Sequence, residues 1–220
     1  MDYNVIYNDN CIDFMKRGGV TDKYNLTLTD IPYGKVNRKS NGIRSFDKKI
    51  ADVETFSLDI FLNGVYSVTT GTIIIFCDHS QVSPIYNFFF EKSQSDGGTV
   101  RQLIWHKSNP SPVNGQHVYL SGIENAVWFK KPGGTFNGHC KNTVFKYPCG
   151  RSKLHPTEKN HELLRELIRD NSNPGDVVFD PCAGSGAHLL VAKEEGRRYV
   201  GIELNPDYYN IALNRLQEAA

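Results

Sequence analysis

The stretch Asp176-Val177-Val178-Phe179-Asp180-Pro181-Cys182-Ala183-Gly184-Ser185-Gly186 decides the fold. Its apolar run follows Pro174-Gly175 and is strand-sized, and the proline and glycines after Asp180 mark a tight turn. A helix is predicted over 187–195, ended near Gly196, then a second strand over 199–202 finishing at Glu203, then a helix from about 206 to 217. This is a strand–helix–strand unit with a glycine turn at the carboxyl end of its first strand and an acid at the tip of its second. Such glycines let the backbone approach a ligand, and such an acid accepts from the two hydroxyls of a ribose.

Gly184-Ser185-Gly186 lacks the third glycine of a dinucleotide fingerprint, so a single ribose and base suffice. With Asp180 before the glycines and Glu203 at the next strand, the pattern favours S-adenosylmethionine. Asp180 is expected to face its cationic methionine part and Glu203 its ribose. A second signal lies upstream, where Leu26-Thr27-Leu28-Thr29-Asp30 ends a strand and Ile31-Pro32-Tyr33-Gly34 follows at once. An acid, a rigid proline and an aromatic at a strand tip make a recognition corner. Asp30 and the Ile31 carbonyl can accept from an exocyclic amine, Tyr33 can stack on a base, and Pro32 restrains the backbone.

The rest of the chain sets bounds. Its 220 residues, 39% hydrophobic and 22% charged, suit one globular domain spanning 1–220. No apolar run approaches a membrane span, and Met1-Asp2-Tyr3-Asn4 lacks the layout of a secretory signal, so a cytoplasmic protein is expected. Five cysteines without a CxxC pair predict reduced thiols and no metal site. The net charge of +1 hides an uneven distribution. Six cations (Lys35, Arg38, Lys39, Arg44, Lys48, Lys49) face one acid over 34–50, and six more (Lys130, Lys131, Lys141, Lys146, Arg151, Lys153) face none over 125–157. Two basic, glycine-rich stretches on an acidic scaffold suggest a polyanion as partner.

Taken together, these segments resemble the DNA amino-methyltransferases of the beta group, which carry the catalytic motif first and the cofactor motif last. Thr29-Asp30-Ile31-Pro32-Tyr33-Gly34 is similar to their Asp-Pro-Pro-Tyr motif, and Phe179 to Gly186 to their S-adenosylmethionine motif. His155-Pro156-Thr157-Glu158-Lys159 resembles their His-Pro-Thr-Gln-Lys. Ile104-Trp105-His106-Lys107 and Ile123-Glu124-Asn125-Ala126-Val127 resemble their Ile-Trp-x-Lys and His-Glu-x-x-Leu segments. Ile31 and Glu158 depart from the family's proline and glutamine.

The resemblance implies a doubly wound, mostly parallel, seven-stranded α/β sheet with one antiparallel strand. Candidate strands at 5–7, 24–29, 72–77, 100–105, 126–130, 177–179 and 199–202, and helices at 12–17, 53–62, 82–91, 158–170, 187–195 and 208–219, alternate as that fold requires. It implies a methyl transfer from S-adenosylmethionine to the N6 amine of adenine in double-stranded DNA, with base flipping. Asp30, Ile31, Pro32 and Tyr33 form the catalytic corner. Asp9, Asp30, His155, Thr157, Asp180, Pro181, Ala183, Gly184, Ser185, Gly186, Glu203 and Asn205 are the cofactor residues. Lys35, Arg38, Lys39 and Arg44, in a DNA-facing loop at about 34–52, and Lys141 and Lys146, in a short target-recognition segment at about 133–153, are the DNA contacts. A second copy of the chain and a cognate restriction endonuclease are candidate partners.

Alternatives have their own signatures. The cytosine exocyclic amine presents the same geometry, but the family's cytosine enzymes tend to carry Ser where Asp30 stands. Pro181-Cys182 and Glu124-Asn125 resemble motifs of the cytosine ring-carbon methyltransferases, in the wrong order. A catalytically silent binding module of the same fold would show a damaged acid or glycine, and neither is seen. The Phe88-Phe89-Phe90 run is expected to pack in the core.

Overall fold

A computed structural model describes residues 2–18, 23–33, 57–112, 115–150 and 159–218. In chain order its elements are β1 (Val5–Asn8), α1 (Cys11–Gly18), β2 (Tyr24–Asp30), α2 (Leu58–Val68), β3 (Thr69–Cys77), α3 (His79–Ser95), β4 (Thr99–Lys107), β5 (Ile123–Lys130), β6 (Val144–Tyr147), α4 (His161–Asn171), β7 (Val177–Asp180), α5 (Ala187–Glu194), β8 (Arg198–Glu203) and α6 (Pro206–Glu218). The strands form one sheet in the order β1-β8-β7-β2-β3-β5-β4-β6. β5 runs antiparallel to both its neighbours, and every other pairing is parallel.

The central strands are continuous apolar runs because both their faces are covered. Leu26 and Leu28 of β2 and Ile74 of β3 pack with α4, α5 and α6, and Ile73 and Ile75 pack with α1, α2 and α3. Phe89 stacks on Phe129 inside the second of these cores, while Phe90 is exposed. The fold is therefore the doubly wound sheet that the sequence implies, with one correction. Residues 144–147 add an eighth strand, held parallel to β4 from Ile104↔Val144 to Lys107↔Tyr147. Much of the 133–153 segment is thus structural. Asn137 also bonds the Arg169 and Ser172 carbonyls at the end of α4.

Winding order decides where the site falls. β2, β7 and β8 are parallel neighbours, so Asp30, Asp180 and Glu203 arrive at one edge of the sheet. Ligands of such sheets bind outside these carboxyl ends.

Candidate active site

Asp30 closes β2, and the chain leaves the sheet at once because Ile31 donates its N–H to the Phe76 carbonyl at 3.2 Å and buries its side chain. Pro32 follows, its carbonyl accepting from Gln81 Nε2 at 3.0 Å. Gln81 belongs to the capping box of α3, with Asp78, so the corner is anchored on a helix start. Tyr33 then folds back, its hydroxyl donating to Asp30 Oδ1 at 2.9 Å.

The other carboxylate oxygen meets a residue to which the sequence pattern assigns no role. Lys159 Nζ lies 2.5 Å from Asp30 Oδ2 and 2.9 Å from Glu124 Oε2, and donates to the Tyr33 hydroxyl at 3.3 Å. Lys107 closes the row, 2.7 Å from Glu124 Oε1. Four alternating charges thus run Lys107–Glu124–Lys159–Asp30. Asn160 fixes the direction of Lys159, because its side chain caps α4 by accepting from the Glu162 and Leu163 amides. Lys159 is only 4% exposed, so its ammonium has protein partners in place of water. Burial pulls its pKa down, but Asp30, Tyr33 and Glu124 outweigh burial and hold it well above the usual value. Burial likewise pushes Glu124 up, and the two ammoniums overcome this to keep it below the ordinary carboxyl value. Tyr33, buried and facing Asp30, is raised and stays a phenol. On the next strand the Cys77 thiol is pushed up to about 12, by burial and then by the Asp30 charge.

Two strands away lies the cradle. Glu203 Oε2 accepts the Gly184 amide at 2.7 Å, and its Oε1 accepts the Asn205 amide at 2.8 Å. Burial raises the Glu203 pKa above its ordinary value, these amides notwithstanding. Gly184 and Gly186 both adopt positive φ (52° and 78°), which side chains resist. No atom lies within 4 Å of a Cβ built on Gly184, so the space over the turn is open there. Ala183 donates to the Ile202 carbonyl at 2.8 Å and Asn205 caps α6, so both ends of the cradle are fixed. Pro181 and Ser185 are buried within the turn. Asp9 follows β1 and reaches this edge because its amide donates to the Glu203 carbonyl at 3.1 Å. Its carboxylate pairs with Arg17.

Known proteins resemble this chain in sequence and fold. Residues 137–214 match the N6/N4 methyltransferase family model, described as a DNA methylase. The type II methyltransferase M.HinfI of Haemophilus influenzae is 27% identical over 98% of the chain and 68% of its own length. M.Cfr9I, a type II methyltransferase of Citrobacter freundii, is 55% identical over 56% of the chain, which spans 46% of that relative. The crystal structure of an M1.HpyAVI–SAM complex superimposes with a TM-score of 0.73 at 26% identity, over 96% of this chain and 98% of that one. In sequence and in fold the chain is thus similar to DNA amino-methyltransferases.

Several of the residues expected at the site have partners within the protein that the sequence did not suggest. Asp180 is fully buried, its Oδ1 accepting the Cys182 amide at 3.1 Å and its Oδ2 facing His188 Nδ1 at 2.7 Å. Both its oxygens thus have partners within the protein, where the sequence reading has it face the methionine part of the cofactor. Lys141 is held by Glu166 at 2.9 Å and by both Asp170 oxygens at 2.7 and 2.8 Å, so its charge is already matched within the protein. Lys146 is exposed on the edge strand β6. Cys182 donates to the Cys11 thiol, and this bond together with burial pushes it far above the usual thiol range, unlike a nucleophile. His155, Thr157, Lys35, Arg38, Lys39 and Arg44 lie outside the described residues, as do the start of the helix expected from 53 and the basic loop before it. Lys107, Glu124 and Lys159 did lie within segments quoted for the family resemblance. What the sequence withheld was that they meet.

Proposed function

We propose that the chain transfers a methyl group from S-adenosylmethionine to the N6 amine of an adenine flipped out of duplex DNA. The observation that carries this reading is the placement of Asp30 and Glu203 on one sheet edge with a single strand between them, roughly 10 Å at the usual strand spacing. That interval suits a nucleoside held at one end and a reacting centre at the other. The donor set fits the cofactor: an oriented carboxylate for a ribose, an open glycine turn beside it, and Asp9 near the adenine end. S-adenosylmethionine supplies a methyl already activated on a sulfonium.

The chain's own residues do the rest. Asp30, its side chain 25% exposed, accepts one N–H of the target amine, and the Ile31 carbonyl accepts the other. These bonds draw the nitrogen toward tetrahedral geometry and free the lone pair that the ring otherwise holds. Tyr33 stacks on the base, offsetting an unstacking cost of a few kcal/mol. Phosphate contacts come from the cations at 34–50, and a second copy of the chain supplements its short recognition segment. Asp, rather than Ser, ahead of Pro-Tyr favours adenine over the cytosine N4 amine. Mass spectrometry of nucleosides from duplex DNA treated with the purified chain and cofactor tests this directly. N6-methyladenine is expected. N4-methylcytosine alone would move the target to cytosine, and no modified base would overturn the reading.

A further inference from the structure

Asp30 has a neighbour that works against its task. As the N–C bond forms and the S–C bond breaks, positive charge passes to the amine nitrogen, which then sheds a proton. A carboxylate beside that nitrogen stabilises the growing charge, and aligned fixed charges of this kind are among the largest contributions to catalysis. Yet the Lys159 ammonium, 2.5 Å from Asp30 Oδ2 and out of reach of bulk water, cancels the very charge the amine requires. By itself it would leave the corner neutral.

Glu124 changes the balance. Its Oε2 lies 2.9 Å from the same ammonium, so two carboxylates face one cation: the three inner members, Asp30, Lys159 and Glu124, sum to one negative charge, and the row becomes neutral only at Lys107. Lys107 neutralises only the far side of Glu124, through Oε1, and is the outermost member of the row. We infer that Glu124 is a charge-setting, positioning residue of the catalytic centre: by counterbalancing Lys159 it leaves Asp30 with the negative charge that the reacting amine needs, while Lys159 fixes where that carboxylate points. Neither residue need touch the base. Both act through Asp30, and the inference rests on the methyl transfer proposed above.

A scaffold role and a charge role make opposite predictions for two neutral substitutions. Glu124→Gln and Lys107→Gln both break the Lys107–Glu124 pair, but the first makes the corner more positive and the second more negative. In single-turnover and steady-state assays on duplex DNA, Glu124→Gln is expected to lower kcat about tenfold or more. KM for DNA and calorimetric affinity for S-adenosylmethionine are expected to stay within about twofold of wild type, because Glu203 on β8 lies four strands along the sheet from Glu124 on β5. Lys107→Gln is expected to raise kcat by about twofold, a modest change because Lys107 is the charge of the row farthest from Asp30. A fall in both variants by similar factors would assign the row to scaffolding and overturn the inference. If Glu124→Gln does not fold, Lys107→Gln still decides, since a kcat below half of wild type contradicts a charge role. A wild-type chain without turnover would overturn the methyl-transfer reading as well, which separates that failure from this one.

Discussion

Gly184 donates its backbone N–H to Glu203 Oε2 across 2.7 Å, and this one bond joins the glycine turn to the strand beside it. With the Asn205 amide on the other oxygen, the carboxylate is oriented before any ligand arrives. Orientation in advance lowers the ordering cost of binding.

Removing that carboxylate therefore costs affinity. Glu203→Ala is expected to weaken S-adenosylmethionine binding by about 1–3 kcal/mol, the loss of an acceptor for a hydroxyl pair. Titration calorimetry measures it, and unchanged affinity would dismiss Glu203 from the ribose site.

The same group gives a pH dependence with a definite sign. Its folded-state pKa is raised, so the unliganded protein holds a proton there at pH values where the unfolded chain has lost it. Its contribution to stability is present below the ordinary carboxyl value and is lost as pH rises through the folded one. Hydroxyl donors favour the carboxylate, so binding pulls the pKa down. Affinity is then expected to fall as pH drops into the window just above 4.5, with proton release on binding there and little near pH 8. Calorimetry in two buffers of different ionisation enthalpy would show it, and proton uptake would contradict it.

Asp30→Asn separates binding from chemistry. It keeps the shape of the corner but removes the charge that faces the amine and Lys159. Methyl transfer is expected to fall at least about a hundredfold while cofactor affinity is kept. Turnover at the wild-type rate would exclude Asp30 from the reaction.

Lys141 and the cations at 34–50 are expected to respond differently. Lys141 is already paired with Glu166 and Asp170, so Lys141→Ala should lower stability by about 0.5–1 kcal/mol and leave sequence discrimination alone. Replacing Lys35, Arg38, Lys39 and Arg44 should weaken binding to cognate and random duplexes alike, and reduce the salt slope by about one for each phosphate no longer neutralised. Filter binding across a salt series reads both, and an unchanged slope would make the cations a solvated face.

The sequence carries the site's two ends more plainly than its middle. Strands β7 and β8 are short apolar runs bounded by glycines and acids, so Gly184, Glu203 and Asp30 could be placed from local pattern. β6 escaped because it has four residues, on an edge, with Val144 and Lys146 facing outward and no continuous apolar run. Asp180 reads as an exposed acid until its partner is known. That partner, His188, is eight residues on, brought back by the turn. The row from Lys107 to Asp30 is harder still, for Lys159 and Asp30 lie 129 positions apart and local periodicity cannot pair them. The partners of Lys141 were hidden for the same reason, since Glu166 and Asp170 are on a helix that follows a separate strand.

Among the described strands β1 pairs with β8 alone, Val5 opposite Val200, and Asn8 reaches across 195 positions to the Glu203 carbonyl. β1 must therefore wait for β8, which is synthesised long after it. Pairings of such long separation are slow to close. Until β8 has left the ribosome, Asp9 has no cradle to border and β1 has no neighbour, so the nascent chain carries its catalytic corner without a place for the cofactor. Ligand binding should accordingly emerge late and all at once during refolding.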